Sequence, residues 1–172
     1  MMCRMIWKAP DVTRGGGSLV AGEREMLDGY LNFHRTTFLK KCAGLTGEEL
    51  ARRCAPPSTI SLLGLIRHLA KVERTWFRQR VAGQQLAPLY AGKDVDFDEL
   101  DPACARAEYE QLVDEQRLAD AAVVNASLDD TFTHDGETYA LRLVYLHMIG
   151  EYARHNGHAD MVRERVDGAT GA

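Results

Sequence analysis

Three side chains able to hold a divalent cation fall where helical geometry would bring them together: His68, Glu151 and His155. Glu151 and His155 are four residues apart, so in a helix their Cβ atoms lie about 5–6 Å apart on one side. That separation lets both close on one cation, because metal–nitrogen and metal–oxygen bonds are about 2.0–2.2 Å. Val144, Met148, Tyr152 and Val162 make the apolar stripe of the same segment, with the two ligand-type residues on or beside it. An imidazole or a carboxylate on an apolar face is costly unless something satisfies it. His68 comes from another segment, three residues after Leu65 and four before Val72, and faces inward with them. Three ligands from two helices leave coordination positions open, as catalytic rather than structural sites do. Spacing alone leaves other readings standing. An inward histidine can be a core residue bonded to a neighbour, and Glu151 can pair with Arg154 or His147.

The elements that must position these residues are helical. Residues 1 to about 18 end in Gly15, Gly16 and Gly17 and read as a flexible arm ahead of a single domain over 19–172. Leu27, Tyr30, Leu31, Phe38 and Cys42 recur at helical spacing over 19–43, and Gly44 closes that helix. TGEELARR adds a short helix, Pro56 and Pro57 break the chain, and Ser58 or Thr59 is a suitable N-cap for a second helix over 59–82. That helix carries an apolar stripe from Leu62 to Trp76. Its separate basic stripe of Arg67, Lys71, Arg74 and Arg78 reads as a solvated face. The connection over 83–101, with the acidic run DVDFDEL, is too long for a tight helix hairpin, whose loops run to about 2–8 residues. Such a length suits a bundle in which the next helix returns to run parallel. Asp101-Pro102 opens a third helix to about 124, Asp135-Gly136 suits a small hairpin turn, and a fourth helix runs from about Thr138 to Val166 before Gly168.

Composition narrows the classes. The chain is 172 residues long, enough for one domain, with 45% apolar and 27% charged residues, ordinary for a globular protein. A net charge of −4 argues against a nucleic-acid or anionic-membrane binder. There is no membrane span and no secretory h-region, so a cytoplasmic location is expected. The four cysteines, Cys3, Cys42, Cys54 and Cys104, lack zinc-finger or C-x-x-C spacing and read as ordinary reduced thiols. Walker, G-x-G-x-x-G and G-x-S-x-G motifs are absent, leaving phosphoryl, nicotinamide and serine-hydrolase chemistry without support.

SLLGLIRHLAKVERTWF in the second helix and LHMIGEYARHNGHADMVRE in the fourth resemble the DinB-like superfamily, and more narrowly its actinobacterial branch of unknown function. The similarity runs from about residue 19 to 170, and RHNGHAD is its most specific piece. It implies an all-α, up-down-down-up four-helix bundle. It also implies a metal held by one histidine of the second helix and two ligands of the fourth. Many relatives use three histidines. Glu151 four residues before His155 is instead similar to the mycothiol-dependent maleylpyruvate isomerase branch, and the ligands map to His68, Glu151 and His155. The resemblance further implies a metal-dependent S-transferase or isomerase that uses a low-molecular-weight thiol, mycothiol, on a small electrophile. Zinc suits such a ligand set, with nickel, iron or manganese open. Metal-assisted hydrolysis, or a non-enzymatic stress-associated binding bundle, are the alternatives.

The remaining candidates are weaker. His34 supports a ligand from behind, contacts substrate, or is a satisfied core histidine. His155 with His158 is a rival ligand pair, although a histidine near a helix end also serves the helix dipole. Glu73 could orient a ligand or pair with Arg35 or Arg154. His147 and His134 are expected at the surface. Trp76, Phe77 and Leu86 offer an apolar flank for a symmetric homodimer.

Overall fold

Where glycines give way to alternating acids and apolar residues, the chain enters α1 (Glu23–Cys42), in a computed structural model that describes residues 6–171. Glu23 and Glu25 occupy its first turn and Lys40 and Lys41 its last, each sign set against the opposing end of the helix dipole. Gly44, at φ 79°, turns the chain out of it, and Thr46 with Glu49 forms the capping box of α2 (Gly47–Ala51). The next helix, α3 (Leu62–Glu73), is capped by Ser61, whose hydroxyl accepts the Gly64 N–H at 3.1 Å. Ser58 and Thr59 are therefore not the cap; the Ser58 hydroxyl accepts the Ile60 N–H in a local turn. From Arg74 to Val81 the helix widens into a π-helical stretch. Short α4 (Val95–Asp98) lies within the long connection. Asp101 caps a 3₁₀ turn at Pro102–Cys104 that leads into α5 (Ala105–Val123).

An antiparallel hairpin follows, β1 (Thr131–His134) with β2 (Glu137–Ala140), pairing Thr131 with Ala140 and His134 with Glu137. Asp135 at φ 51° and Gly136 at φ 82° supply the left-handed pair that a two-residue hairpin loop requires. Because Thr138–Ala140 belong to β2, α6 (Leu141–Asp167) starts later than the sequence suggested. Helix makes up 59% of the chain and strand 6%, which sets an all-α class. α6 packs chiefly along α1, and α3 chiefly along α5. Phe38, Leu65, Leu69, Phe77, Leu112, Met148 and Tyr152 fill the core between them. Each such side chain removed from water contributes about 1.5–3 kcal/mol.

Three further expectations need correction. The segment read as a flexible arm is tied down in its described part. Ala9 donates to Leu45 O at 2.9 Å and accepts from Gly44 N at 2.8 Å, and Gly15 N donates to the Thr36 hydroxyl at 2.8 Å. A Cβ on Gly17 would meet Gly29 Cα at 2.9 Å, so this glycine run marks close backbone approach to α1.

The basic stripe of α3 is not a solvated face. Arg67 donates to the carbonyls of Val95 and Glu99, Lys71 to Asp96, and Arg74 to Ala87 O. Arg74 and Arg78 both reach the fully buried Glu115 of α5. The long connection and α5 cover this side of α3, and guanidinium forks suit the bent carbonyls of an irregular segment.

The apolar flank expected at Trp76, Phe77 and Leu86 is not open either, because Phe77 is buried and the other two are half-buried. Exposed apolar side chains gather instead at Leu19, Met26, Tyr30 and Leu146, which line a groove of about 700 Å³ between α1 and α6. Tyr30, expected inward with His34, is among them. Among the described residues no helix is long and apolar enough to cross a membrane.

Candidate metal centre

His68 sits in the middle of α3 between the fully buried Leu65 and Leu69, while Glu151 and His155 occupy adjacent turns of α6. Their rotation toward one another is set just beside them. Glu73, five residues after His68, takes both forks of Arg35 at 2.7 Å and the Tyr152 hydroxyl at 2.9 Å. Tyr152 follows Glu151 directly and accepts from Gln116 Nε2 at 2.9 Å. Arg35 also reaches Asp120 at 2.7 Å. This buried network ties α1, α3, α5 and α6 together, and both ligand-bearing helices are fixed by it. Glu73 is therefore the partner of Arg35, one of its two expected assignments.

The three residues converge. Each offers one ligand atom, and these atoms all lie within 4.8 Å of one another. Glu151 Oε2 is 3.4 Å from His155 Nε2 and 3.7 Å from His68 Nε2, and the two imidazole centroids are 4.9 Å apart. Arg154 holds the other oxygen, Oε1, so Glu151 meets the dull pairing and the convergent one at once. His155 Nε2 is buried and has no hydrogen-bond partner. A buried polar atom left bare is rare enough to need a reason, and a cation among these atoms supplies one. Two imidazole nitrogens and one carboxylate oxygen fit a borderline divalent ion such as zinc.

Behind the cluster, His68 Nδ1 lies 2.9 Å from Asp96 Oδ2, with the ring N–H donating. Asp96 is buried, and its second oxygen accepts from Lys71 at 3.1 Å. Burial alone would raise the Asp96 carboxyl, but the hydrogen bonds from His68 and Lys71 outweigh it and hold it below the usual range. Glu151 is likewise lowered: burial acts upward, and the Arg154 hydrogen bond and charge, then His155 and His147, act downward. Burial lowers His155 to about 4, with His68, Arg154 and His158 adding to it against Glu151. All three effects favour neutral imidazole and ionised carboxylate, the forms that bind metal.

Sequence reasoning missed Asp96. Its only signal was an acidic run in a connection, which no helical period could aim at His68. Phe97, beside it, walls the site with its ring 5.0 Å from His68.

The other candidates fall around the edge. His158 is exposed, with Nδ1 3.3 Å from His155 Nδ1, and lies outside the convergent group. His34 is half-buried; Asn156 Nδ2 donates to its carbonyl at 3.1 Å, and burial lowers its pKa. His147, expected at the surface, is half-buried against Trp76 at 4.4 Å and lowered by that burial. His134 lies in β1 beside Asp135. The cysteines stay apart: burial pushes Cys42 up to about 12, Cys54 donates to Val162 O, and Cys104 faces Asp101. Cys3 lies outside the described residues. A cavity of about 910 Å³ against α1, lined by Arg24, Asp28, Arg35 and Asp120, contains none of the three ligand-type residues.

The sequence model of the family described as Mycothiol-S-transferase matches residues 26–168, a span that includes the whole cluster. Comparison with curated proteins and with solved structures gave no match.

Proposed function

Because the chain belongs to the mycothiol S-transferase family, we propose that it transfers a low-molecular-weight thiol, mycothiol, onto a small electrophile at a metal centre made by His68, Glu151 and His155. The observation that carries this reading is the bare, buried His155 Nε2 converging with Glu151 Oε2 and His68. A bound divalent ion, zinc by the ligand set, would favour the anionic form of a thiol at neutral pH. The protein's own part is preparation. Asp96 keeps the proton of His68 on Nδ1 and leaves Nε2 facing the site. Arg154 occupies Glu151 Oε1 and directs Oε2 inward. Phe97 packs its ring against His68. The thiol proton would pass to solvent, and the sulfur would bond to the electrophilic carbon as the leaving group departs, or as an epoxide C–O bond opens and its oxygen takes a proton from solvent. No protein cysteine takes part, in keeping with the placement of Cys42, Cys54 and Cys104.

The same reading takes α1, α3, α5 and α6 as the four helices of an up-down-down-up, DinB-like bundle in the cytoplasm, the connection 83–101 supplying the crossover. It also takes the exposed apolar face of α1 and α6 as the contact of a homodimer; light scattering that reads only the monomer mass at micromolar concentration would remove that part.

The experiment compares turnover of a chlorinated aromatic or an epoxide by the zinc-loaded protein, with mycothiol and without. Turnover should require mycothiol, rise with metal occupancy and vanish in His155→Ala, while Cys42→Ser and Cys104→Ser keep it. Equal turnover without thiol would replace this reading with metal-assisted hydrolysis. No metal-dependent turnover across a broad panel would leave a binding bundle.

A further inference from the structure

Each histidine of the cluster turns one ring nitrogen toward Glu151 and the other away, and what meets the outer nitrogen differs. For His68 it is a buried carboxylate, Asp96. For His155 it is another imidazole: His155 Nδ1 and His158 Nδ1 face each other at 3.3 Å, three residues apart on α6. A neutral imidazole carries one proton, so one of the facing nitrogens donates and the other accepts. The other end of the His155 ring decides which. Its Nε2 is buried and makes no hydrogen bond: the nearest acceptor, Glu151 Oε2, stands 3.4 Å away, so a proton there would be poorly accepted. On Nδ1 the same proton has a hydrogen-bond acceptor. The low-cost arrangement puts the proton on His155 Nδ1, accepted by His158 Nδ1, with the second nitrogen of the exposed His158 ring carrying its own proton into solvent.

We infer that His158 is a positioning residue for the metal centre: it accepts the Nδ1 proton of His155 and thereby holds the Nε2 lone pair toward Glu151 and His68. This rests on the proposed metal site, and it assigns His158 a place behind a ligand, where a rival reading made it a ligand. It also makes the centre asymmetric. His68 is backed by a charged acceptor and His155 by a neutral one, so His155 is the less strongly donating of the two imidazoles.

The test uses full-length protein, His158→Ala and His158→Asn; the Asn amide oxygen stands about where the imidazole Nδ1 stood. In metal-free protein, ¹⁵N shifts of the His155 ring should report the Nδ1–H tautomer in the parent and in His158→Asn. In His158→Ala they should move toward Nε2–H, since Glu151 Oε2 at 3.4 Å is then the nearest acceptor. By chelator competition, zinc affinity should fall about tenfold or more in His158→Ala and recover in His158→Asn. An unchanged His155 tautomer in His158→Ala, or an Asn variant as weak as the Ala variant, overturns the inference. A tautomer switch between parent and His158→Ala in a parent that binds no zinc would overturn the metal site, and the inference with it, while leaving the His155–His158 hydrogen bond standing.

Discussion

Two carboxylates stand between α3 and α6, and they end differently. Glu73 is saturated: Oε1 accepts from Arg35 Nε and the Tyr152 hydroxyl, and Oε2 from Arg35 Nη2, all within 2.9 Å. Glu151 is not. Arg154 takes Oε1, while Oε2 stands 3.4 Å from one imidazole nitrogen and 3.7 Å from the other, too long for good hydrogen bonds. A buried polar network with every member satisfied fixes geometry, because any change leaves a charge stranded. One with converging acceptors and a bare nitrogen is incomplete, and the proposed function completes it with a cation. The closed network holds the open one in place.

Breaking the closed network should have the largest effect. Glu73→Ala strands the Arg35 guanidinium, which is buried, with only the exposed Asp120 left to it. A loss of about 3–5 kcal/mol in urea unfolding is expected. A loss under about 1 kcal/mol would mean that water replaces the carboxylate and that the contrast with Glu151 is misdrawn.

Breaking the open cluster should cost function rather than fold. His68→Ala or His155→Ala each removes one of the three proposed ligands and should abolish stoichiometric zinc, while His147→Ala and His134→Ala keep it. Metal analysis of the four purified variants decides this, and equal loss from both pairs would mean that the working face of α6 is the Trp76–His147 side.

The smallest expected effect sharpens the comparison through pH. His155 is lowered to about 4 in the folded protein, against about 6.5 for an unperturbed histidine. Below pH 6.5 the unfolded chain therefore takes a proton that the folded protein refuses, so stability falls as pH drops from about 6.5 to about 4 and levels off beneath. His34 and His147, also lowered, push the same way. Urea midpoints of metal-free protein should decline through that window, and His155→Gln should flatten the decline without removing it. A parent midpoint that stays constant would mean that His155 is more solvated than its burial suggests.

The three ligand-type residues were legible in the sequence because a helix repeats every 3.6 residues. Val144, Met148 and Tyr152 define an inward face, Glu151 and His155 are placed beside it, and Leu65 with Leu69 does the same for His68. Local chemistry was equally legible where it is short-range: the short helix at TGEELARR, the Asp101-Pro102 start, the Asp135-Gly136 turn and the Gly168 stop. Periodicity states which residues share a face, not what that face meets. The basic stripe of α3 had the pattern of a solvated surface, yet Arg67, Arg74 and Arg78 clasp the connection and α5. That clasp delivers Asp96 to His68 from 28 positions downstream. The bare nitrogen of His155, the acceptor offered by His158 and the closing of Phe77 into the core likewise depend on which helix lies against which. Helical period and capping are fixed within a few residues of chain. Only packing brings distant side chains within hydrogen-bonding reach, and so the tertiary structure alone decided how the site is supported.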